Sequence, residues 1–116
     1  MEKVTIWHNP RCSKSREALA LLEDEGVSYD VVKYLDTVPT VEELTALLKK
    51  LGISARDLLR TKEAIYKELD LDSVEDDKIL IEAMVEHPKL IERPIVIKGD
   101  KAVIGRPPQK VIELLK

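Results

Sequence analysis

The chain has 116 residues, 44% hydrophobic and 35% charged, which suits one domain with a core of its own and carries no signature of disorder. The net charge of −3 argues against long-range attraction to nucleic acid or an anionic membrane surface, so any anion site must be local. A single cysteine excludes an internal disulfide. His8 and His87 lie too far apart, with one cysteine between them, to suggest a metal site.

"KVTIWH" alternates at Val4 and Ile6 and predicts a strand that ends at the turn signal Asn9-Pro10. Ala18, Leu19 and Leu22 then recur at helical spacing before Gly26, which predicts an amphipathic helix over 13–25. "YDVVKYL" (29–35) predicts a second strand, completing a βαβ unit. Its first loop lies at the end where open α/β sheets bind ligands.

The middle of the chain, about 40–87, reads as a helical insertion. Thr40 with Glu43 is a capping-box pattern ahead of Leu44, Leu47, Leu48 and Leu51, and Gly52 closes the helix. Ser54 with Asp57 predicts a helix carrying Leu58 and Leu59. Ser73 with Asp76 predicts another carrying Ile79, Leu80, Ala83 and Met84, ended by Pro88. "PIVI" (94–97) and "KAVI" (101–104) flank Gly99-Asp100 as a β-hairpin, and Pro107-Pro108 opens a last helix, "QKVIELLK". The order βαβ, helices, ββα predicts an α/β thioredoxin-like fold in a single domain, 1–116.

Cys12 is the residue most suited to chemistry. A thiolate rather than a thiol is the nucleophile, and a helix N-terminus or nearby cations lower the thiol pKa. Cys12 directly precedes the predicted first helix, with Arg11, Lys14 and Arg16 beside it and Ser13 and Ser15 as hydroxyl donors. The opposing reading is a buried, inert cysteine, but so polar a neighbourhood is a poor apolar pocket. Position 15 is serine, so C-S-K-S cannot form the dithiol of a C-x-x-C redox motif. If Cys12 turns over through a covalent or oxidised state, another molecule must resolve it, most economically glutathione or a glutaredoxin.

"HNPRCSKSR", "YL" closing the second predicted strand, "LLRTKE", "ERPIVI" and "IGRP" together resemble the glutaredoxin-coupled arsenate reductase (ArsC) family over nearly the whole chain. The resemblance implies that Cys12 attacks arsenate and that Arg60, Arg93 and Arg106 bind the oxyanion. Planar, paired, permanently charged guanidinium donors suit such a dianion. It also implies that glutathione releases arsenite and that glutaredoxin reduces the resulting mixed disulfide, with no tightly bound cofactor. His8 is implied to lie near the cysteine, either tuning it or simply packing, and Ser15 is expected to hydrogen-bond the thiolate. Arg93-Pro94 fits the cis-proline turn that thioredoxin-like folds place opposite the reactive cysteine.

Arg16 is left between the anion site and solvent, and Arg56 is read as a solvated surface charge. The pattern departs from the best-known arsenate-reducing members at Ser13-Lys14, where they carry Gly-Thr. Two other functions stay open: a glutathione-linked thiol oxidoreductase acting on disulfides, and a non-catalytic adaptor similar to the Spx regulators that bind RNA polymerase. The absence of a signal peptide or membrane span in the sequence predicts a cytoplasmic protein, and no leftover apolar stripe predicts a monomer.

Overall fold

The computed structural model describes residues 3–116, which divide into two compact units: residues up to Thr37 together with Arg93–Lys116, and Val38–Glu92. The first unit is a four-stranded mixed sheet. Strand β1 (Val4–Trp7) pairs in parallel with β2 (Tyr29–Val32) and antiparallel with β3 (Ile95–Lys98), and β3 pairs antiparallel with β4 (Lys101–Ile104). This is the expected thioredoxin-like arrangement, with order β2-β1-β3-β4.

Alternation along β1 divides its side chains between the two faces of the sheet. Val4 and Ile6 join Val96 of β3, Ala18 and Leu22 of α1 (Ser13–Asp24), and Val111 of α6 (Gln109–Leu115) in one buried cluster. Ile6 and Leu22 are fully buried, which stabilises the fold by about 1.5–3 kcal/mol each. Trp7 points to the other face, where its ring stacks on the buried Tyr34 with centroids 6.4 Å apart. Gly26 ends the helical run with φ +69°, a conformation glycine adopts without a Cβ penalty.

Strand β2 is shorter than its sequence suggests. The amides of Asp36 and Thr37 both donate to the Lys33 carbonyl, so the chain turns at once after Val32. Tyr34 is thereby buried under the sheet, while Leu35 is exposed.

The second unit is helical. Helix α2 (Val41–Leu51) begins at the expected capping box, in which Thr40 and Glu43 satisfy each other's backbone amides, and it ends at Gly52 with φ +70°. Helix α3 (Ala55–Leu58) is a single turn, and α4 (Ala64–Glu68) follows within the expected helical insertion, at a place where no particular helix start was read. Ser73 does not open the next helix. Its hydroxyl bonds Asp70 at the end of a 3₁₀ turn, and Asp76 caps α5 (Asp77–Glu86) by accepting from the Lys78 amide. Leu44, Leu47, Leu58, Leu80, Met84 and Leu90 are buried, but Ile79 is 48% exposed, contrary to its place in the expected apolar face.

Arg56, read from sequence as a solvated charge, is instead a structural residue of this unit. Its guanidinium donates to the Tyr66 hydroxyl at 2.7 Å and to the carbonyls of Leu71 and Val74. A planar fork of donors satisfies three acceptors around the segment 66–74, where α4 gives way to a 3₁₀ turn.

Candidate active site

Cys12 is the N-cap of α1. Its backbone is extended, with φ −96° and ψ 123°, its amide donates to the Asn9 carbonyl at 3.0 Å, and its carbonyl accepts from the Arg16 amide. The Asn9 side chain accepts from the Arg11 amide at 3.1 Å, so Asn9-Pro10 forms a closed turn that fixes the approach to the helix. Four helical N–H groups at such an end have no partner within the helix. Two of them, from Lys14 and Ser15, reach the Cys12 sulfur.

Two arginines remote in sequence meet the same atom. Arg106 Nη2 lies 3.7 Å from Sγ, and Arg93 donates a side-chain hydrogen bond to it. Arg106 Nε also donates to the Arg93 carbonyl at 2.7 Å, so one guanidinium braces the backbone of the other while facing the thiol. The Arg93-Pro94 peptide is cis, as expected, and so is Arg106-Pro107. Gly105 makes the approach of these two loops feasible: its amide donates to the Pro94 carbonyl, and a Cβ there would lie 3.0 Å from Pro94 Cγ and 3.1 Å from Val111.

Burial pushes the Cys12 thiol pKa up. The Ser15 amide, the hydrogen bond and charge of Arg93, and the Lys14 amide outweigh it, and the net shift is downward. Helix N–H groups and a guanidinium beside a thiol favour its thiolate form.

The expected bond from the Ser15 hydroxyl to the thiolate is not formed. Ser15 is fully buried, with Oγ 2.6 Å from His8 Nδ1 and accepting from the Asn9 amide at 3.0 Å. Its backbone, not its side chain, serves the sulfur. His8 is also buried, and desolvation, followed by the charges of Lys33 and Arg16, holds its pKa below the ordinary value. Nδ1 of the neutral imidazole shares this short hydrogen bond with the Ser15 hydroxyl. His8 therefore reaches the cysteine indirectly, by fixing Ser15 and the turn at Asn9. Arg16 donates to the Pro10 carbonyl at 3.0 Å on the exposed side of this turn.

Arg60 belongs to the helical unit. Its amide donates to the Leu90 carbonyl, and the Glu92 amide donates to the Leu58 carbonyl, around an isolated bridge between Leu59 and Ile91. This ladder sets Arg60 beside Glu92, 3.6 Å from its carboxylate, while Glu63 lies 3.4 Å away on the other side. Glu63 is three residues from Arg60 and was legible as an ion-pair spacing. The place of Glu92 beside Arg60, and that of Gly105 beside Pro94, were not visible in the sequence, because each depends on a partner brought by the fold.

Among the described residues no group of His, Cys, Asp or Glu is placed to hold a metal ion, and no helix is long and apolar enough to cross a membrane. The ArsC family model matches residues 7–114, which include the Cys12 turn and both arginine loops. The chain belongs to the ArsC family. It is 50% identical to an arsenate reductase of Neisseria meningitidis, over 99% of this chain and 100% of that one. It is 55% identical to an uncharacterized Escherichia coli protein, YfgD, over 98% of both chains. A solved structure described as an arsenate reductase from Vibrio cholerae superposes with a TM-score of 0.93 at 54% identity, covering 97% of each chain.

Proposed function

We propose that this chain is an arsenate reductase that uses Cys12 as its nucleophile, glutathione as the thiol donor and glutaredoxin as the final reductant. The observation that carries the reading is the convergence on one sulfur of the α1 N-terminus, Arg93 and Arg106. A lone reactive thiol needs only the first; two guanidinium groups beside it suit an incoming oxyanion. The names of the relatives point the same way.

In this reaction the Cys12 thiolate attacks arsenic, an As–O bond breaks, and that oxygen leaves as water after protonation. Arg93 and Arg106 hold the remaining oxygens. Arg60 is assigned to the same oxyanion by its motif, "LLRTKE". The glutathione thiolate then attacks the Cys12 sulfur, and the S–As bond breaks with its electron pair passing to arsenic, so As(V) leaves as arsenite. Cys12 and glutathione remain as a mixed disulfide. A glutaredoxin thiolate attacks the glutathione sulfur and expels Cys12, whose lowered pKa makes it a good leaving group. Such a cycle belongs in the cytoplasm, where both thiol partners are available, and needs one copy of the chain and no bound cofactor.

The test is arsenate-dependent NADPH oxidation in the presence of glutathione, glutaredoxin and glutathione reductase. The native protein is expected to turn over and Cys12→Ser to be inactive. A native rate no higher than that of Cys12→Ser would overturn the arsenate assignment and turn attention to other oxyanions, to disulfides or to a protein partner.

A further inference from the structure

Beside the Cys12 turn lies a cleft of about 350 Å³ that the arsenate reading does not use. It opens at the carboxyl ends of the parallel strands β1 and β2, where sheets of this class bind ligands. It is lined by Asn9, Pro10 and Arg11 after β1, by Lys33, Leu35 and Asp36 after β2, and by the buried His8.

The charges of this cleft are uncommitted. Among the described residues, Arg11, Lys33 and Asp36 make no ion pair, although Lys3, Lys14 and Arg60 all do. Lys33 stands close enough to His8 for its charge to act on the imidazole. The early turn after Val32, closed by the two amides that donate to the Lys33 carbonyl, brings both Lys33 and Asp36 to the lining.

Two cations, one carboxylate and the apolar Pro10 and Leu35, one residue away from the nucleophile, define the ligand chemistry. The occupant should be a small peptide-like molecule with two carboxylates, one ammonium group and a thiol between them. Glutathione has this pattern at neutral pH.

We infer that the cleft between Asn9–Arg11 and Lys33–Asp36 is the glutathione subsite, with Arg11 and Lys33 taking its two carboxylates and Asp36 its ammonium group. The inference rests on glutathione being the thiol donor proposed above. The subsite places the thiol toward Cys12, which follows Arg11 in the chain. The subsite uses neither Arg93 nor Arg106, so donor and oxyanion occupy separate places.

Binding is tested without arsenate or turnover, by NMR titration of the native protein with S-methylglutathione, which has no free thiol. The expected result is a saturable shift of the amides of residues 9, 11 and 33–36. Lys33→Glu should raise the dissociation constant at least tenfold, because it replaces a charge-assisted contact with repulsion, and Lys33→Gln should raise it by a smaller factor. Asp36→Lys should weaken S-methylglutathione but not its N-acetyl derivative, which lacks the ammonium group. Shifts centred on residues 93 and 105–106 instead, the absence of saturation, or charge reversal without effect would each overturn the subsite. If S-methylglutathione binds as expected while arsenate turnover is absent, the subsite stands and the arsenate reading fails. If turnover is present and the cleft does not bind, the reverse holds.

Discussion

Ser15→Ala separates two accounts of the site. The hydroxyl is fully buried and touches His8 and the Asn9 amide rather than Cys12. Its removal orphans the buried His8 Nδ1 and one backbone donor, each of which costs about 1–3 kcal/mol when left unpaired. Alanine recovers about 0.5 kcal/mol through its better helix propensity in α1. The net expectation is a loss of about 1.5–5.5 kcal/mol, which lowers the melting temperature of a chain this size by roughly 6–22 °C at about 4 °C per kcal/mol. The thiol pKa should hardly move, because the Ser15 backbone N–H that reaches the sulfur is retained. Had the hydroxyl held the thiolate, its loss would remove a charge-assisted bond of about 1.5–3 kcal/mol and raise the pKa by one to two units. Urea unfolding measures the first quantity, and thiolate absorbance against pH measures the second. A rise of a unit or more in the thiol pKa with unchanged stability would refute the reasoning.

Other perturbations follow from the same contacts. Arg93→Leu removes both a hydrogen bond and a charge from Cys12, so the thiol pKa should rise, read from the pH dependence of alkylation by iodoacetamide. Arg56→Lys should cost about 2–4 kcal/mol in chemical denaturation, since an ammonium cannot reproduce the fork onto Tyr66, Leu71 and Val74, while the Cys12 pKa stays at its native value. The folded pKa of His8 lies below its ordinary 6.5, so the unfolded chain binds the proton first as pH falls. The stability due to neutral His8 is therefore complete above pH 6.5 and is lost as pH drops through the folded pKa. His8→Gln should flatten the slope of stability in that acidic window.

Much of this protein is written in short-range patterns. The alternation of Val4 and Ile6, the Asn9-Pro10 turn and the helical spacing of Ala18 and Leu22 set Cys12 at the start of α1, because strand, turn and helix preferences act over a few residues. The Thr40–Glu43 box and the Gly99-Asp100 hairpin are legible for the same reason. What only the tertiary structure decided is which partner each polar group takes. Ser15 could bond the sulfur three residues away or a histidine seven residues back, and burial of the imidazole beside it favours the histidine. Arg56 and Arg60 stand four residues apart, yet the first is consumed by carbonyls of an irregular segment and the second is flanked by carboxylates. Arg106 meets Cys12 across 94 positions of sequence only because β3, β4 and the close approach at Gly105 bring the two loops together. Local propensity specifies the elements, whereas burial and the need to satisfy every polar group choose among the contacts those elements make available.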